Sequence, residues 1–138
     1  MRSPEFGVRS PEYGCGVAAF KRFEEIQAWK KARELVQEIY RTSSSGAFGK
    51  DFGLKDQIRR AAVSSMSNVA EGFARKGNID FARFLDIARA SAVEVQSLLY
   101  VALDVGFIDK NRFEGLYWMA DETISIIAGL TSYLRKRN

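Results

Sequence analysis

The chain has 138 residues, 46% of them hydrophobic, enough for one domain with a real core, and no run of about 18 apolar residues that could span a membrane, so a soluble protein is expected. Its formal charge of +4 sits mostly at the two ends: residues 1–22 carry +2 and Arg135, Lys136 and Arg137 carry +3, which leaves −1 for 23–134 and implies no globally basic binding face. There is no histidine, so the commonest general base and metal ligand is missing, and the lone Cys15 can form no internal disulfide; a reducing, cytoplasmic setting without metal or cofactor is the expectation.

Residues 1–22 open with a near-duplicate, RSPEFG at 2–7 and RSPEYG at 9–14, and contain both prolines, Pro4 and Pro11. The segment reads as a disordered tail or expression scar outside the fold, with a partner-binding arm as the lesser reading. The domain is expected over 23–138.

The first predicted helix runs from about Phe23 to Arg41. Phe23, Ile26, Trp29, Ala32, Val36 and Ile39 recur at helical spacing beside Lys30, Lys31, Arg33, Glu34 and Glu38. Thr42 to Gly46 stops it, and a glycine-bearing connection over 47–53 offers Phe48 and Phe52 as packing anchors.

The second predicted helix, Leu54 to Gly77, carries an unusual polar stripe. At about 100° per residue, Arg60, Ser64, Ser67, Asn68, Glu71 and Arg75 share roughly one quadrant, while Ile58, Ala61, Ala62, Val69 and Phe73 fill other sides. Few sides are left for water, so the stripe is read as an internal hydrogen-bonded network, with a ligand or nucleic-acid surface as the alternative. Gly77 is placed as the left-handed residue closing this helix, and Asn78 as the cap of the next.

The third predicted helix, about Ile79 to Val105, has two heptad seams. One is Phe81, Leu85, Ala88, Ala92, Val95, Leu99 and Ala102; the other is Phe84, Ile87, Ser91, Glu94, Leu98, Val101 and Val105. A hairpin centred near Gly77 brings residue 94 level with 60 and 83 level with 71, which predicts ion pairs Arg60–Glu94 and Glu71–Arg83. Gly106 ends this helix, and Asp109 caps a fourth that runs to about Arg135, again with two seams. Doubled seams on the last two helices point to contacts between subunits, with one wide stripe in a bundle core as the alternative that mimics two seams.

No phosphate-binding glycine loop, zinc ligand set or nucleophile–base pair is present. Glu71 and Glu94 could pair as carboxylates, but each has an arginine within reach. Trp29, Trp118 and Tyr117 could stack on bases, although at helical spacing they fit a core or interface better.

The stretch from Phe23 to Asn138 resembles the four-helix-bundle proteins encoded in intervening sequences of bacterial 23S ribosomal RNA genes. The resemblance rests on Trp29, Lys31 and Ala32; on Phe52-Gly53-Leu54 with Gln57, Arg59, Arg60 and Ala61; on Phe84-Leu85, Ile87-Ala88, Ser91 and Glu94; and most specifically on Ser67-Asn68-Val69-Ala70-Glu71-Gly72. The chain departs from the pattern at Phe48-Gly49, where a Phe-Pro is usual, and at Ala90-Ser91, where a Gly-Ser is usual.

The resemblance implies an all-α, antiparallel up-down-up-down bundle that assembles as a homopentameric ring, and a kinship with the accessory proteins of diversity-generating retroelements, which bind nucleic acid. The resulting expectation is a non-enzymatic homo-oligomer with a role in binding RNA or DNA; the alternative is a protein–protein scaffold with no nucleic-acid contact. Arg59, Lys76, Arg135, Lys136 and Arg137, at helix ends, are the candidate phosphate contacts.

Overall fold

A computed structural model of the chain describes residues 20–137. Cys15 and the repeated segment lie outside the described residues. Among those described there are five α-helices and no strand: α1 (Gln27–Thr42), α2 (Gly46–Lys50), α3 (Phe52–Phe73), α4 (Asn78–Asp104) and α5 (Lys110–Lys136). The strongest packing joins α3 to α4 and α4 to α5, and α1 lies against both α3 and α5.

Before α1, Phe23–Glu25 forms a single 3-10 turn instead of the helical start predicted at Phe23. It sets the Phe23 ring edge-on to Trp29 at 5.1 Å, and Phe20 is half-buried against the same cluster. Within α1, Leu35 is fully buried while Val36 is only partly so, a shift of one residue in the expected stripe. Ser43 closes the helix by donating its hydroxyl to the Ile39 carbonyl at 2.7 Å. On the far side of α1, Lys31 lies 3.0 Å from Glu122 of α5 and 3.3 Å from Glu34. Partial burial disfavours the Lys31 ammonium, yet the two carboxylates outweigh it and raise its pKa.

The connection after α1 contains a helical turn, α2, that the glycines concealed. Phe48 on it is buried and stacks on Phe107 at 5.4 Å. Phe52 is 67% exposed and is therefore not the second anchor predicted: it starts α3 on a side turned away from the core.

Helix α3 is capped by Asp51, whose carboxylate accepts the Leu54 N–H at 3.0 Å. Its buried arc is made of Ile58, Ala61, Ala62, Ser65, Val69 and Gly72. Small residues dominate that arc, so α4 can come close. The limit is reached at Gly72, where an added Cβ would lie 2.8 Å from the Phe84 Cβ and 2.9 Å from a ring carbon of Phe81. Helix α3 stops at Phe73, earlier than predicted. Gly77, at φ 87°, precedes the first residue of α4 instead of closing α3, and Asn78 is inside α4 with no side-chain cap bond before it.

The first seam of α4 is buried throughout, from Phe81 to Ala102. Of the second, Phe84, Ser91 and Leu98 are buried while Ile87, Glu94, Val101 and Val105 are exposed. Gly106, at φ 82°, ends the helix as predicted: its N–H donates to the Leu103 carbonyl at 3.1 Å and that of Phe107 to Ala102 at 2.8 Å. Asp109 then accepts the Arg112 N–H at 2.8 Å, as a cap for α5 should. On α5 both seams are buried or half-buried within the single chain. The doubled seam there is one wide stripe, the alternative reading of the pattern, and α5 by itself gives no reason for a second subunit.

The core is divided along its length. One cluster gathers Leu35, Ile39, Phe48, Ile58, Leu99 and Phe113; the other gathers Trp29, Val69, Phe81, Leu85, Ile127 and Leu134. No helix of the described residues is long and apolar enough to cross a membrane.

Candidate nucleic-acid interface

The polar stripe of α3 does not form the buried network expected of it. Arg60 and Glu71, with Arg83 and Glu94 on α4, are all exposed. The reason is angular: Arg60, Ser67 and Glu71 lie roughly opposite the arc centred on Ile58, Ala62 and Val69, because small residues and not the polar ones carry the helix contact. The expected register along the two helices is close to what is found, since Ser64 Oγ meets Ser91 Oγ at 2.8 Å. The pairings are not. Glu94 accepts from Gln57 Nε2 at 3.3 Å, and no ion pair among the described residues holds Arg60. Arg83 donates to Asp80 at 3.1 Å on its own helix and lies over the Phe84 ring, which Arg75 covers as well, at 4.9 and 4.6 Å.

What remains of the network is short. Asn68 Nδ2 donates to the Ser64 carbonyl at 2.9 Å and to its hydroxyl at 3.0 Å, and that hydroxyl meets Ser91. The pairs Arg60–Glu94 and Glu71–Arg83 are thus corrected, and with them any large penalty for losing one partner, since exposed charges stay solvated. The stripe instead walls an open groove of about 720 Å³, lined by Gln57, Arg60, Ser64, Ser67, Ser91 and Glu94 among others.

The five cations proposed as phosphate contacts divide in two. Arg59 is half-buried and committed to the end of α1: its Nε donates to Ser43 Oγ at 2.9 Å, its terminal nitrogen donates to the Tyr40 carbonyl and Ser44 Oγ at 3.3 Å, and its guanidinium lies 4.2 Å from the Tyr40 ring centre. It complements the negative end of the α1 dipole and is not available to a phosphate. Arg112 does similar work from α5, donating to Thr42 Oγ1 at 3.0 Å and Glu38 at 3.4 Å.

Lys76, Arg135, Lys136 and Arg137 are exposed. Contacts at Gly72, Phe81 and Phe84 put the last turn of α3 beside the first turns of α4, and the ion pair of Arg135 with Asp86 brings the last turns of α5 to the same region. One end of the molecule therefore collects Arg75 and Lys76 from the turn after α3, Arg83 and Arg89 from α4, and Arg135, Lys136 and Arg137 from the end of α5. Asp80 and Asp86 are the acids nearest to them in α4.

Arg89 is the residue that sequence reasoning missed. It lines a second groove, of about 440 Å³, with Asp86, Ser132, Arg135 and Lys136. Helical spacing shows that Asp86 and Arg89 share a face of α4, but nothing in the sequence says that the C-terminal turn of α5 lies against that face. Arg137 covers the Tyr133 ring at 4.8 Å. Among the described residues no group of three or more Asp, Glu, Cys or His could hold a metal ion.

No curated protein shows significant sequence similarity to the chain. A crystal structure of a protein of unknown function from the S23 ribosomal protein family of Bacteroides thetaiotaomicron shares its fold, with a TM-score of 0.71 at 21% identity over 76% of this chain and 95% of the other. The family model for 23S rRNA-intervening sequence proteins matches residues 24–129. That match takes in α1 to α4, the Ser67-to-Gly72 block and most of α5, and so the chain belongs to the family of 23S rRNA-intervening sequence proteins.

Proposed function

We propose that this chain is a non-enzymatic RNA-binding protein of the cytoplasm that works as a homopentameric ring, each protomer an antiparallel up-down-up-down four-helix bundle. The observation that carries the reading is the basic end described above: cations that are scattered through the sequence, including Lys76, Arg89 and Lys136, are gathered by helix packing, while the rest of the molecule stays near neutral. Symmetry multiplies such a patch. Five copies on one ring face would present a continuous basic surface from a protomer whose net charge is small.

The antiparallel arrangement is supported by contacts whose residue numbers fall on one helix as they rise on its neighbour, 57 with 94 and 64 with 91, then 86 with 135 and 96 with 121. Self-association is supported by Ile87, Val101 and Val105 of α4, large apolar side chains left exposed at heptad spacing on a single helix.

Fluorescence anisotropy of a labelled single-stranded RNA, titrated at several salt concentrations, tests the function. The expected result is binding without sequence preference whose affinity falls steeply with salt, by a slope of about 0.7 per phosphate contact. Replacing Arg135, Lys136 and Arg137 by Ser should flatten the slope, and Lys76→Ser should do so to a smaller extent. An intact protein with no salt-sensitive RNA binding at low ionic strength would overturn the reading in favour of a protein–protein scaffold.

A further inference from the structure

We infer that the groove between α4 and α5 is a seat for one RNA phosphodiester, with Arg89 and Lys136 as its contacting cations and Asp86 as a counter-charge that keeps Arg135 partly out of use. The inference rests on the RNA reading above and gives it a definite site.

The groove, of about 440 Å³, has Asp86 and Arg89 on its α4 side and Ser132, Arg135 and Lys136 on its α5 side. Asp86 takes Arg135 in a two-point pair, with Nη1 donating to Oδ1 at 3.3 Å and Nη2 to Oδ2 at 2.5 Å. That pair fixes the Arg135 guanidinium across the groove and uses the donors best suited to a bidentate oxyanion. Arg89 and Lys136 make no ion pair among the described residues. They flank the pair from opposite helices, and Ser132 adds an exposed hydroxyl. With three cations and one carboxylate, the groove carries a local charge of +2 and has hydrogen-bond donors from two helices converging on one space. A phosphodiester, singly charged and with two free oxygens, matches that arrangement. The groove is open and lacks an aromatic wall, so it has nothing with which to read a base.

Asp86 makes the inference more than a restatement of net charge. If the groove holds a phosphate, the Asp86 carboxylate opposes it, and removing that charge should strengthen binding although it breaks an ion pair. A purely structural Asp86–Arg135 link predicts the opposite or nothing.

The test uses the full chain and the same labelled RNA. Arg89→Ser and Lys136→Ser are each expected to lower the salt slope by about 0.7, as one contact is lost. Asp86→Asn, which frees Arg135, is expected to raise the slope by a similar step and to tighten binding at low salt. Lys110→Ser, an exposed cation at the first residue of α5 and far from the groove along that helix, should leave the slope unchanged. Thermal midpoints close to that of the parent protein should accompany all four, since every altered charge is at the surface. A parent slope retained in both Arg89→Ser and Lys136→Ser, or an Asp86→Asn protein that binds no better, would overturn the seat while leaving RNA binding elsewhere intact. Absence of RNA binding by the unaltered protein would overturn both readings. Displacement of RNA by pyrophosphate at matched ionic strength would assign the groove to a free phosphate ligand and overturn the phosphodiester.

Discussion

A methyl group added at residue 72 has nowhere to go, because it would meet the Cβ of Phe84 at 2.8 Å and the ring of Phe81 at 2.9 Å. The first of these is fixed to the α4 backbone and cannot swing away, so the helices must part. Gly72→Ala is therefore expected to destabilise the fold by about 1–3 kcal/mol, even though alanine is the better helix former. Gly129→Ala on α5 is the matched control. Nothing lies within 4 Å of its Cβ position, and the same change there should stabilise by about 0.5–1 kcal/mol. Chemical denaturation of both variants checks the pair; equal effects at the two sites would mean that the α3–α4 approach is looser than described. The glycine in the Ser67-to-Gly72 block thus has a packing reason, and Asn68 a local one, in the bonds it makes back to Ser64.

At the scale of an element, the end of α1 shows how an apparent binding residue can be structural. Four carbonyls at a helix C-terminus lack partners within the helix. Here the Tyr40 carbonyl receives Arg59, and Ser43, fully buried, receives a second donor from the same side chain. Arg59→Ala should lower stability by about 1–2 kcal/mol and leave the salt slope of RNA binding where it was. A flattened slope in a protein that unfolds at the parent denaturant concentration would return Arg59 to the interface. Helix α4 illustrates a different point. Its first seam is all core, but its second is buried only where α3 reaches it, at Phe84, Ser91 and Leu98, and is bare at Ile87, Val101 and Val105.

For the whole molecule, those bare positions and the basic end make linked expectations. If α4 meets another subunit, light scattering at micromolar concentration should give about five times the 15.5 kDa of one chain. Val101→Glu should shift that mass towards the monomer and, by removing the clustering of five basic ends, weaken RNA binding far more than a single surface charge would. A monomer mass for the unaltered protein would remove the ring. In that event the exposed residues of α4 would need another partner.

The existence and rough placement of the four long helices were legible in the sequence, unlike the short α2, because apolar spacing, Asp109 and Gly106 act locally: the repeat of buried positions in α4, the cap of α5 and the left-handed end of α4 all follow from neighbours within a few residues. The approximate register of α3 against α4 was legible too, since a short turn leaves little freedom. Which face of α3 turns inward was decided only by the tertiary structure. Ala61, Ala62, Ser65 and Gly72 look unremarkable in a hydrophobicity pattern, yet their small size lets two helices approach, and that gain left the polar stripe outside. The same holds for charge. The sequence shows a nearly neutral body, but packing sets Arg89 beside Arg135 and Lys136 across a gap of more than forty residues, and sequence distance carries no information about which helix faces meet.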